Sequence, residues 1–324
     1  MSDTKDLTIK KEIAYCIQTP EKIADYYQQC ISPTSDLYVL SWKNYDSSWE
    51  NHYDARGIDG VAGRNILTKL ALDNGPYRYI VFIDDDVRID YEDTDTISPF
   101  SPLQLFERFL KENEPAVCGI ACKTIGHGWR NRSGTHNSIH YLDQQMCAFH
   151  IETLACVGAG KFAIEESWQY HNPPNNAITS KLYPNNKFQY NEIFIKQTYE
   201  VRRNYMHYPR NHHKGSKYGD FEEFTNKYIV DAIGPVPIDL VQPDRKYWNS
   251  THAPGPPNQK MHSYHYSKES LTELGFNFES EILKSMIEEW EKIKPDWWES
   301  TMKAADKFYQ KDDSTGNFWK TLSP

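Results

Sequence analysis

The sequence predicts an α/β fold: a mixed, mainly parallel sheet flanked by helices, followed by a C-terminal helical extension. Three observations carry that prediction. Short β-prone runs alternate with segments of helical period from Ile13 to Ala121, the pattern of strands joined by crossover helices. The most apolar of these runs, Tyr79 to Ile83, opens directly onto three aspartates, and ligands gather at the carboxyl ends of strands in such sheets. After Ser280, apolar residues recur at helical spacing.

Ile13 to Ile17 is the first strand. Thr19-Pro20-Glu21 then has the hydroxyl cap, early proline and acid of a helix start, continued by Ile23, Tyr26, Tyr27, Cys30 and Ile31. Leu37 to Leu40 is the second strand, and residues 41–60 read as a polar loop rich in aromatics. From Arg64 a helix places Ile66, Leu67, Leu70 and Ala71 on one face and stops at Asp73-Asn74-Gly75-Pro76. Ser101-Pro102-Leu103-Gln104 has the spacing of a capping box, and Phe106, Phe109 and Leu110 form the buried face of the helix it opens. Ala116 to Ala121 is the next strand.

Beyond residue 122 the rhythm loosens. Residues 123–146 read as loop, and 146–160 as two short strands. The Pro- and Asn-rich stretch 170–190 reads as a surface excursion, Asn191 to Arg203 as a helix, and 234–259 as a Pro-rich connector. Ile282, Leu283, Met286, Ile287, Trp290 and Ile293 form the stripe of the C-terminal helix. This divides the chain into 1–122, 123–266 as the second half of the same domain, and a helical extension 267–324.

With 36 Lys and Arg against 45 Asp and Glu, the net charge of −9 argues against nucleic-acid binding, which needs a basic face to displace counterions. No run approaches the length of a spanning helix, and the polar start MSDTKDLTIKKE lacks the apolar region of a secretory signal. Six cysteines in 324 residues are too sparse for a disulfide scaffold, so the expected setting is reducing and cytoplasmic. Oligomeric state is not encoded legibly.

Asp84-Asp85-Asp86 is the feature with chemical consequence. Like charges a few ångströms apart drive one another toward protonation unless a cation neutralises them. Mg²⁺ or Mn²⁺ would do so, because hard cations take carboxylates together with phosphate oxygens. The plain alternative is a solvated turn after a strand.

The stretch from Gly63-Arg64-Asn65-Ile66 through Ile83-Asp84-Asp85-Asp86 resembles the core of glycosyltransferases of the GT-A fold, a Rossmann-like architecture. These also place an Arg-Asn helix before an apolar strand ending in a DXD motif. The resemblance covers roughly residues 11–165, and its informative part is the position of the motif after two strand–helix units. It implies a metal-dependent enzyme that moves a sugar from a nucleotide-sugar donor, UDP- or GDP-linked, to a hydroxyl of a carbohydrate acceptor. Asp86 would ligate Mn²⁺ or Mg²⁺. Asp84 would hold the donor ribose or the metal and its water, with Asp85 between them in the donor site. Gln18 and Thr19 match the nucleotide-binding loop, and Arg64 with Asn65 would lie near the diphosphate or the donor sugar. Val157-Gly158-Ala159-Gly160 resembles the small-residue strand that admits the donor sugar, through Gly158 and Gly160; a tight turn is the plain alternative.

Inversion would need a carboxylate base. Tyr190-Asn191-Glu192 resembles the acidic motif that supplies it, with Asp220 and Glu222 competing. A histidine completes the metal shell in many members of that family, and His265 is favoured here over His262, His212 and His213. His136 and His140 have helical zinc spacing but lack the glutamate of a zinc peptidase. Cys118 and Cys122 are too far apart along a strand to chelate one ion.

Aromatic residues crowd 42–53 and 126–141, where rings with polar tips suit sugar stacking or ordinary packing. Trp297-Trp298 suits a membrane surface or a partner chain, although the acids of the adjoining helix weaken the peripheral-membrane version. Two other functions compete. A nucleotidyltransferase also uses acids with Mg²⁺, but wants a Gly-rich basic loop where this chain has Gln18-Thr19-Pro20-Glu21. A non-catalytic sugar-binding module would rely on the aromatics alone.

Overall fold

The computed structural model describes residues 11–19, 27, 31–42, 45, 51–56, 58, 60–84, 87–91, 98–123, 134–139, 145–151, 153–154, 168–183, 186–197, 224–235 and 268–298. Its centre is a nine-stranded sheet. The strands are β1 (Ile13–Thr19), β2 (Ser35–Ser41), β3 (His52–Asp54), β4 (Tyr79–Asp84), β5 (Val87–Tyr91), β6 (Val117–Lys123), β7 (His136–Ser138), β8 (Met146–His150) and β9 (Lys187–Gln197). Their order is β3-β2-β1-β4-β8-β6-β9-β5, with β7 also on β9. β1 to β4, β6 and β9 run one way, and β5, β7 and β8 run against them. The predicted class, α/β with a mainly parallel mixed sheet, is the observed one.

Helices cover both faces. On one side lie α1 (Gly60–Asn74), α3 (Trp168–Leu182), a π-helical turn Phe224–Ile229 running into α4 (Val230–Ile233), α5 (Lys268–Glu273) and α6 (Glu281–Ile293). Leu67, Ala71, Ile178, Leu182, Ile233, Met286 and Trp290 from these elements pack with Ala14, Cys16, Ile80 and Phe82 of the sheet. On the other side, α2 (Pro102–Asn113) contributes Leu103, Phe106, Phe109 and Leu110 to a second core with Tyr15, Ile17, Val81 and Ile83. Alternate residues of β1 and β4 thus feed opposite cores, as strand pleating requires. Ser101 caps α2 as the sequence predicts: its hydroxyl accepts from the Gln104 N–H at 3.2 Å and its own N–H donates to Gln104 Oε1 at 2.9 Å.

Several sequence expectations are overturned. The helix of residues 64–74 begins earlier, at Gly60, the supposed loops at 41–60 and 123–146 contain β3 and β7, and a further strand, β5, follows the aspartates. Residues 146–160 hold one described strand, β8, followed by helical residues 151, 153 and 154. The supposed surface excursion at 170–190 contains α3, with Ala177, Ile178 and Leu182 buried; tertiary burial outweighs the local breaker signals.

The helix expected at 191–203 is replaced by β9 over residues 191–197, and 198–203 lie outside the described residues. Phe188, Tyr190, Ile193 and Ile195 all enter the α2-side core, but the register shifts between the Ile120–Tyr190 and Ala121–Phe194 pairs. That bulge moves the inward residues from even to odd positions and hides the period of two. Trp298 belongs to the protein's own interior, buried edge-on against Trp290, and the half-buried Trp297 donates from Nε1 to the Leu72 carbonyl at 3.3 Å. Cys16, Cys118 and Cys147 are buried free thiols.

Candidate functional site

The strand order changes direction of growth at β1. The chain proceeds outward to β2 and β3 on one side, then returns to place β4 on the other. Such a switch point leaves a crevice at the carboxyl ends of the two strands. Gln18 near the end of β1 and Asp84 at the end of β4 are direct cross-strand partners there, and by strand alternation both belong to the face that α1 covers.

α1 packs along β1 and β2, and its first two turns carry Gly63, Arg64 and Asn65. Arg64 donates from Nη2 to Asp84 Oδ1 at 3.2 Å, with its guanidinium 5.1 Å from the centre of the Phe82 ring. The Arg64 side chain is 4% exposed and that of Asp84 32%. Burial pulls the guanidinium below its ordinary proton affinity and the Asp84 charge opposes that pull. Arg64 is therefore sealed behind Asp84, positioned to hold the carboxylate rather than to meet a ligand broadside. Asn65 is buried beside it.

Thr19 is buried and by alternation belongs to the opposite face from Gln18; its carbonyl accepts from Trp42 N–H at 3.1 Å. The hydroxyl of Ser41, the last residue of β2, and Nε2 of His52, the first residue of β3, are both buried and lie 2.6 Å apart. The exposed ring of Tyr45, an aromatic from the crowded 42–53 segment, stands edge-on to His52.

Glu192 falls elsewhere. It is exposed in the β9 bulge, accepts from the Tyr190 hydroxyl at 2.6 Å, and neighbours Arg108 of α2. β9 is three strands from β4, about 14 Å at the usual strand spacing, and Glu192 lies on the α2 side of the sheet. The structure brings Gln18, Arg64 and Asp84 together and does not bring Glu192 to them. Asp85, Asp86, Gly158, Gly160, Asp220 and His265 lie outside the described residues.

Carboxylates suit Mg²⁺ or Mn²⁺, so the chemistry of the Asp84-Asp85-Asp86 triplet fits such an ion. Among the described residues, however, no group of three or more metal-ligating side chains gathers, and the charge of Asp84 is already met by Arg64. The Arg64–Asp84 pair was not foreseen from sequence; the one available signal was an arginine twenty residues before an acid across a strand–helix–strand step.

No family model matches the sequence, and no curated protein matches it. Among solved structures, the chain is similar to S. aureus TarS residues 1–349 in complex with UDP, at 13% identity and a TM-score of 0.39. The match covers 56% of this chain and 60% of that one. It is also similar to A197 from STIV, at 9% identity and a TM-score of 0.35, over 58% of this chain and 85% of that one. The chain thus spans less than two thirds of the TarS fragment, and no conclusion about chemistry follows from likenesses of this size. No helix among the described residues is long and apolar enough to cross a membrane.

Proposed function

We propose that this protein is a glycosyltransferase that binds a nucleotide-sugar donor at the tips of β1 and β4 and transfers the sugar to an acceptor hydroxyl. The observation that carries the reading is the juxtaposition of Gln18 and Asp84 at the switch point, with Arg64 holding Asp84 from α1. It supports the resemblance noted in the sequence, because the acid-ended strand occupies the position where an α/β sheet receives its ligand.

In this reading Gln18 offers its carboxamide to the donor nucleotide. Asp84, fixed by Arg64, accepts hydrogen bonds from the ribose or from metal-bound water. Asp86, with His265, would hold Mn²⁺ or Mg²⁺, which when bound offsets negative charge developing on the departing diphosphate. Gly158 and Gly160 would leave room for the sugar. Of the three candidate bases, Glu192 faces the far side of the sheet, which leaves Asp220 or its rival Glu222 to take the acceptor proton in an inverting displacement.

A thermal-shift panel of UDP-, GDP-, CMP- and dTDP-sugars with Mn²⁺ tests the proposal. One nucleotide class should raise the melting temperature in a chelator-sensitive way, since a ligand that binds only the folded state stabilises it. Binding of free sugars alone, indifferent to chelator, would favour a non-catalytic sugar-binding module.

A further inference from the structure

We infer that Gly63 is a positioning residue: it leaves the notch in which the Gln18 carboxamide is fixed at the end of β1, across from Asp84 on β4, for contact with the donor nucleotide, an inference that rests on the donor reading above. A Cβ built on Gly63 would lie 1.8 Å from Gln18 Nε2, 2.6 Å from Gln18 Cδ and 3.1 Å from Leu40 Cδ2. The amide therefore lies where the side chain of any other residue would begin, between the first turns of α1 and the end of β2. It is held there by packing. Among the described residues the Gln18 side chain makes no hydrogen bond, and it remains partly exposed. A carboxamide has two donor hydrogens and two acceptor lone pairs, and a partly exposed one fixed without internal partners keeps its open side available to a ligand. Fixing it in advance removes part of the ordering cost of binding. Its cross-strand partner Asp84 is fixed in turn by Arg64, the residue after Gly63, so one turn of α1 sets both groups.

The consequence is unusual for a glycine in a helix. Gly63→Ala raises helix propensity, and the atom it displaces is the end of a flexible side chain, so the fold survives while Gln18 is driven from its place. Nucleotide binding should weaken although the protein melts no lower than wild type.

The test is calorimetric titration with UDP and with GDP, in the presence of Mn²⁺, of the wild type, G63A, Q18A and the double variant. The expected result is a roughly tenfold weaker Kd for each single variant, the scale of one lost hydrogen-bonding group. The double variant should be no weaker than Q18A alone, because residues acting through one contact are not additive. Wild-type affinity in G63A, or a double variant weakened by the product of the two single effects, would overturn the inference while leaving the donor reading intact; wild-type affinity in Q18A would overturn the inference and remove Gln18 from the donor site, while nucleotide binding itself would stand. A wild type that binds neither nucleotide would overturn both.

Discussion

Arg64 and Asp84 define the site at the scale of single residues. A buried guanidinium beside a one-third-exposed carboxylate gives Asp84 a fixed direction and leaves the rest of its surface to solvent or ligand. Arg64→Met should therefore act twice. Urea denaturation should show a loss of about 1.5–3 kcal/mol, the range for a hydrogen bond to a charged group, and UDP or GDP titration should show weaker binding. Unchanged values of both would remove Arg64 from the account. This pairing was only half legible in the sequence. The acid and the arginine each stood out, but that one neutralises the other depends on how α1 lies against β4.

Lys187 is a second buried cation, with a different consequence. Its ammonium donates to Asn176 Oδ1 at 2.8 Å, Thr179 Oγ1 at 3.1 Å and Ser180 Oγ at 3.2 Å, all from α3. Burial pulls its pKa from 10.5 down to about 7. The unfolded chain then binds more protons than the folded one between these values, so the contribution of Lys187 to stability is full above 10.5 and is lost as pH falls toward 7. The stability difference between wild type and Lys187→Met, read from urea midpoints at pH 7, 8.5 and 10, should move in favour of the wild type as pH rises. A difference independent of pH would contradict this.

At the scale of elements, what the sequence disclosed and what it concealed have separable causes. β1, β4, α2 and α6 were legible because their signals are local: an apolar run, a capping box, a stripe at helical spacing. β9 was concealed by the bulge that shifts its inward face at Asn191–Glu192, and α3 by its prolines, whose cost is outweighed by burial of Ala177, Ile178 and Leu182 and by the grip of Lys187. The Gln18–Asp84 register was invisible, because it is set by pairing between strands more than sixty residues apart. α6 supplies an element-scale prediction. Trp290 is buried against Trp298, and α6 packs on α1. Trp290→Ala should therefore cost about 3–5 kcal/mol in urea denaturation, the range for a large aromatic removed from a core. A cost below about 1 kcal/mol would mean that α6 adds little to the fold.

At the scale of the whole molecule, one sheet carries two oppositely directed consequences of pleating. Residues on the α1 face of β1 and β4 end in Gln18 and Asp84, whereas those on the α2 face end in apolar side chains and Thr19. The crevice therefore has a single working side, and the exposed acid of β9 lies on the other. Glu192 is therefore set aside as the base, and the proposal rests on Asp220 or Glu222. The most direct test of the central claim is a crystal soaked with Mn²⁺ and UDP or GDP. The account predicts diphosphate density at the tips of β1 and β4, with the nucleotide in hydrogen-bond contact with Gln18 and the ion on Asp86. A nucleotide bound elsewhere, or an empty and solvent-open crevice beside Gln18 and Asp84, would contradict it.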